Sequence, residues 1–306
     1  MRRILPGIFC AVLLGLALTA GQAQAQALSK TFVSKFGNDT GNCDFLTPCL
    51  TMARAVSQTA PNGSVNCLDS GDYTQNVMIT VSLAIDCGGT SASGGPFNIN
   101  TPGITVVIKN LTIFKNAIPA IAFQQGAELN VEKVEMYNNP TGIFFNPPGN
   151  ATLHVTDCHI HNNSPNGGIL LQPTGSGMVH VSVTRVQLLS NSVGLRADGT
   201  GGSGQIRVSV RDSVAAGNAN MGFAAVSTSA FTRITIANST ASSNSAGLYA
   251  DGAQANMVLT GVTSTANVVG LFTTNGALAW SYTNTPNYIN ANITLDGVPT
   301  GVLAPH

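Results

Sequence analysis

The segment AELNVEKVEMYNN, Ala127 to Asn139, returns as ATLHVTDCHIHNN, Ala151 to Asn163, with apolar residues coinciding at Leu129/Leu153, Val131/Val155, Val134/Cys158 and Met136/Ile160. The offset is 24 residues. Further copies run VHVSVTRVQLLSN from Val179, IRVSVRDSVAAGN from Ile206, ITIANSTASSN from Ile234 and MVLTGVTSTAN from Met257. Each copy closes on an Asn: Asn139, Asn163, Asn191, Asn218, Asn244 and Asn267. A few residues later comes Gly with an apolar residue behind it: Ile143, Ile169, Leu195, Phe223, Leu248 and Leu271. Such a repeat restricts the fold severely, because a unit this short can bury its apolar face only against the copies before and after it.

The period of about 23 to 28 residues, the short alternating runs of Val, Ile and Thr, and the lack of helical periodicity predict an all-β parallel β-helix. One turn of chain supplies about three strands, and about ten turns fit the chain. Leucine-rich repeats have a similar period but need L-x-x-L-x-L spacing, which is missing here, and two sandwich domains would not keep one pattern through every copy. In such a coil Val131, Val155, Val181, Val208 and Ile234 point inward. Asn130, His154, His180, Arg207 and Arg233 form an outward ladder, and Lys133, Asp157, Arg185 and Asp212 a second. His159 falls between Glu135 and Gln187, and His161 between Tyr137 and Leu189.

These copies resemble those of the right-handed parallel β-helix repeat proteins, a superfamily that includes pectate lyases and polygalacturonases. The opening FVSKFGNDTGNCDFLTPCLTMARAVSQTAPNGSVNCLDSGDY and the closing LAWSYTNTPNYINANITLDGVPTGVLAP are similar to the ends of a group of exported bacterial members. The resemblance spans nearly all of residues 31 to 304 and implies the right-handed form of the fold.

Four segments follow. Residues 1–27 read as a secretory signal peptide: Arg2 and Arg3, an apolar run from Ile4 to Leu18, and small residues up to a cleavage site of the A-x-A kind at Ala25 or Ala27. Residues 28–75 form an N-terminal cap and first coil, 76–277 the repeats, and 278–306 a last coil and cap. Thr51 to Ala60 is the one expected helix, with Thr51 as N-cap and Pro61-Asn-Gly as its stop, laid over the open N-terminal end. Trp280 and Tyr282 help close the other end. No later segment has a membrane-spanning apolar run, so the expected location is periplasmic or extracellular. Cys43 with Cys49 and Cys67 with Cys87 are the expected disulfides in that oxidising setting, leaving Cys158 as a buried, inert thiol.

Acids and bases balance at 13 each, and loss of Arg2 and Arg3 brings the mature chain near −2. With 8% charged residues and no basic run, nucleic acid is excluded as a partner. A polysaccharide or cell-surface glycan suits a long, straight, polar face, with Tyr137, His159, His161, Arg196 and Tyr249, aided by Phe144, as ligand-binding residues. Catalysis has less to rest on. The resemblance implies a calcium cluster with an Arg or Lys base in lyases, and N-T-D, D-D, G-H-G and R-I-K segments in hydrolases; none of those segments occurs. Glu135, Asp198 and Asp251 remain as catalytic candidates, although Asp198 and Asp251 precede Gly, as turn residues do. Gly199 to Gly204 opens no helix and is no nucleotide loop. No cofactor is expected. The ions the chain could admit are zinc or calcium, with zinc or copper at Glu135, His159 and His161. The expected role is therefore a non-catalytic exported glycan binder or surface component, with a diverged polysaccharide lyase or glycosidase as the alternative.

Overall fold

The computed structural model describes residues 27–282 and 286–304; the signal-peptide reading falls almost wholly on residues outside that range. The described chain winds into a β-solenoid of about ten turns whose three sheets contain 12, 8 and 9 strands, all paired in parallel. The long sheet runs from Leu28–Val33 to Gly301–Leu303, the short one from Thr112–Phe114 to Tyr288–Ile289, and the third from Val77–Ile79 to Val269–Thr274. Every strand bonds to its counterpart one coil away, as the repeat requires.

Two one-residue corners frame each short strand. Lys133, Asp157, Arg185 and Asp212 occupy the first corner with φ of 53, 54, 53 and 52°, and Asn138, Asn162 and Ser190 the second with 55, 54 and 54°. The left-handed conformation turns the chain sharply within a single residue, and Asn and Asp tolerate it best. The expected Lys133, Asp157, Arg185, Asp212 column is thus a corner, and the Arg185 guanidinium grips Asp157 at 2.6 Å across it.

Inside, each strand face forms a column. Leu129, Leu153, Val181, Val208, Ile234 and Met257 stack in register, as do Val131, Val155, Val183, Val210, Ile236 and Leu259. All the residues expected to point inward do so, but they belong to these two columns rather than one. The outward ladder is corrected in the same way. His154 lies opposite Asn130 and Ser182, whereas His180 lies opposite Thr152 and Arg207, so His154 and His180 stand one column apart. The coil between them contains extra loop residues around Pro173 to Gly177, so its offset is 28 residues where the preceding coil has 24.

The Asn column is buried, and each side chain both donates and accepts along the axis. Asn163 Nδ2 donates to Asn191 Oδ1 at 3.0 Å while its own Oδ1 accepts from Asn139 N at 3.0 Å. The ladder extends beyond the recognised copies, to Asn116 at one end and Asn292 at the other. The Gly column beside it owes its identity to close approach: a Cβ at Gly194 would lie 2.4 Å from Gly222 O.

The expected helix forms over Met52–Gln58, and the Thr51 side chain accepts from Arg54 N. It ends earlier than Ala60. Thr59 begins the strand Thr59–Cys67, which contains Pro61-Asn-Gly, because pairing with Leu28–Val33 takes over from helix propensity. Met52, Ala55 and Val56 pack under the helix as buried residues. Both disulfides, Cys43 to Cys49 and Cys67 to Cys87, are formed. Cys158 is free and buried, and burial pushes its thiol up to about 12, so it stays protonated and unreactive. At the far end the Trp280 ring lies against Gly301. Among the described residues no helix is long and apolar enough to cross a membrane.

Candidate functional site

The residues singled out in the sequence divide between two faces. Tyr137, His159, His161 and Glu135 come together on the short sheet, where Glu135 and Tyr137 pair with His159 and His161 on the next coil. Arg196, Tyr249 and Phe144 lie on the third sheet with Asp198 and Asp251. No single site contains both sets.

On the short sheet Glu135 and His161 are hydrogen-bonded, while His159 Nε2 is buried without a partner. Glu135 Oε1 is 3.2 Å from His161 Nε2 and 3.7 Å from His159 Nδ1. Burial, then the neighbouring His161, hold His159 below the ordinary imidazole range, against the opposing pull of Glu135. The three residues present ligand atoms that all lie within 4.8 Å of one another. They are a donor set of the kind that binds zinc or copper, with two imidazoles and one carboxylate. Tyr137 is stacked between Phe114 at 5.3 Å and His161 at 5.0 Å, in rings nearly parallel, so its faces are covered and only its edge meets solvent. A sugar ring packs on an open aromatic face, which Tyr137 does not offer. An open groove of about 440 Å³ continues from Glu135 and Tyr137 past Thr112 and Ser93 to Asp72.

On the third sheet the carboxylates are engaged. Asp198 is 2% exposed; its oxygens accept from Arg196 Nη2 at 2.6 Å and from the Thr200 backbone and hydroxyl, and it caps the short turn Gly199–Gly201. Asp251 accepts from Asn275 Nδ2 at 2.7 Å and from the Tyr249 hydroxyl at 3.3 Å. The two acids stand two coils apart, with Val226 between them in the pairing, or about 10 Å by strand spacing. Asp198 therefore has no free oxygen for proton transfer, and Arg196 is already committed to it. Tyr249 stacks on Phe272 at 5.9 Å, and that ring, 41% exposed on the last strand of its sheet, has an open face.

On the long sheet the second half of the expected outward ladder holds. His180, Arg207 and Arg233 stand directly opposite one another on three successive coils. With His154, Ser182 and Thr235 they line a groove of about 410 Å³. Arg207 donates to the neutral amide oxygen of Gln205 at 2.9 Å, and Arg233 lies over the Phe231 ring at 5.0 Å. Among the described residues neither guanidinium has a carboxylate partner, whereas Arg185 and Arg196 each do. The ladder expected from the sequence already stacks these three residues; Asn130 and His154 belong to the neighbouring column instead.

The comparisons agree with this architecture. The solved structure of pectate lyase Pel9A superposes with a TM-score of 0.54 at 16% identity, covering 90% of this chain and 78% of that one. The lacto-N-biosidase of glycoside hydrolase family 136 from Eubacterium ramulus gives 0.47 at 12% identity over 90% and 67%. Among curated proteins none matches the chain by sequence. The family model described as a right handed beta helix region matches residues 70–193 and 95–293, and by that match the chain belongs to the right-handed β-helix family.

Proposed function

We propose that this protein is an exported, non-catalytic binder of an acidic glycan, held along the groove of the long sheet. The observation that carries the reading is the His180, Arg207, Arg233 column, in which two guanidinium groups sit one strand apart with no acid to neutralise them among the described residues. Like charges directly opposite across a sheet destabilise it, so the arrangement favours a ligand that brings negative charge. Guanidinium matches carboxylate or sulfate geometry with paired donors, and Ser182 and Thr235 add hydroxyls beside it. An acidic polysaccharide repeats its charges along a chain, as the solenoid repeats its coils. The fold neighbour named for pectate, itself an acidic polysaccharide, is consistent with that ligand class. Two disulfides suit an oxidising compartment, where such polymers are met.

The non-catalytic part rests on the acids. Among Glu135, Asp198 and Asp251, the first is paired with histidines, the second is buried and fully bonded, and the third lies two coils away from it. The test is size exclusion with light scattering on protein mixed with polygalacturonate, alginate, a sulfated glycan or neutral dextran. Co-elution with acidic polymers of unchanged length, and none with dextran, is the expected result. A shortened polymer would instead establish an enzyme, and equal retention of dextran would remove the charge argument.

A further inference from the structure

The groove on the long sheet leaves the short-sheet cluster without a role, and its geometry asks for one. Glu135, His159 and His161 bring one carboxylate oxygen and two imidazole nitrogens together from two adjacent coils, on the outer face of the solenoid. Tetrahedral zinc with bonds of about 2.0 to 2.1 Å needs its ligand atoms about 3.3 Å apart. Glu135 Oε1 meets that separation with His161 Nε2 at 3.2 Å and approaches it with His159 Nδ1 at 3.7 Å. The histidines sit on one strand with a single residue between them, so the backbone fixes both rings on the same side. Their ring centroids are 4.3 Å apart with a 28° tilt, and all the ligand atoms of the set lie within 4.8 Å of one another.

A plain hydrogen bond accounts for only part of this arrangement. Glu135 Oε1 can pair with His161 alone, yet His159 turns Nδ1 toward the same oxygen. No basic residue is ion-paired to Glu135 beyond these two imidazoles among the described residues. We propose that Glu135, His159 and His161 form a binding site for one divalent late transition-metal ion of the zinc or copper class, with its open coordination position facing solvent. Two nitrogen donors and one oxygen select such an ion over calcium or magnesium, which take all-oxygen shells. Three protein ligands leave a position for water or for an oxygen of a bound molecule. The groove of about 440 Å³ that Glu135 also lines gives such a molecule room. This site is independent of the glycan reading, because it lies on a different sheet from Arg207 and Arg233.

Zinc is the probe. Purified protein, stripped with chelator and titrated with zinc chloride in a calorimeter, is expected to bind one ion per chain, and a large excess of calcium should not displace it. X-ray absorption at the zinc edge is expected to show two imidazoles in the first shell. The double variant His159→Ala/His161→Ala should lose the binding and the imidazole signal, and Glu135→Gln should weaken it. None of the three lies in the solenoid core, so the metal-free variants should keep the parent's circular dichroism spectrum and a cooperative thermal transition, which separates loss of the site from loss of the fold. Absence of zinc binding by the parent, displacement of zinc by calcium, or full retention by the double variant would each overturn the assignment.

Discussion

Two columns in this solenoid stack one kind of side chain on successive coils, and they do so with opposite electrostatic results. The Asn column inside carries a donor and an acceptor on every member, and the run from Asn116 to Asn292 is held by hydrogen bonds throughout, through the Asn191 backbone N–H at the step to Asn218. Arg207 over Arg233 on the outside carries donors only, and repetition there accumulates positive charge. A β-helix repeats whatever it is given. Self-complementary groups make repetition structural, and like charges make it a demand for something from outside. The Glu135 cluster lies between these cases, since it meets unlike groups within the chain itself.

The sharpest way to break the interior column is Asn163→Leu. Asn163 is fully buried; its loss leaves Asn139 N and Met136 O without their partners. At about 1 to 3 kcal/mol for each buried unsatisfied group, the expected destabilisation is about 4 kcal/mol, read from denaturant unfolding. A smaller effect is expected from Gly194→Ala, where the new methyl meets Gly222 O at 2.4 Å and must displace a neighbouring coil. Overpacking of this kind costs about 2 kcal/mol, and a neutral result would show that the coils slide freely. The outer column should respond in the opposite direction. Arg207→Glu sets a carboxylate opposite Arg233 and should stabilise the ligand-free protein by about 0.5 kcal/mol, an effect that fades as salt is added. A loss of stability would mean that the guanidinium groups already have a compensating partner.

Much of this is legible in the sequence. The Asn and Gly columns recur because interior geometry admits no other residue, so the winding and the stacking of coils could be read directly from Asn139, Asn163 and Asn191. The Glu135, His159, His161 grouping was equally readable, since only a compact 24-residue coil separates the strands involved. Outer columns are less constrained. Side chains at His154 and His180 have no interior shape to match, and across the longer loop near Pro173 to Gly177 the expected ladder joins two columns, Asn130 with His154 and His180 with Arg207 and Arg233. The covering of Tyr137 by Phe114 could not be foreseen either, because Phe114 lies upstream of the recognised copies. The helix ends short of Pro61 for a related reason: pairing with a strand distant in sequence, Leu28–Val33, begins at Thr59, before the local stop signal is reached.

The most direct test of the central claim is the affinity of the intact protein for a defined oligogalacturonate, measured by calorimetry beside the double variant Arg207→Ala/Arg233→Ala. Each charge-assisted contact is worth about 1.5 to 3 kcal/mol, so the account predicts a loss of at least about 100-fold with the variant folded as before. Equal affinity in the two proteins would contradict it.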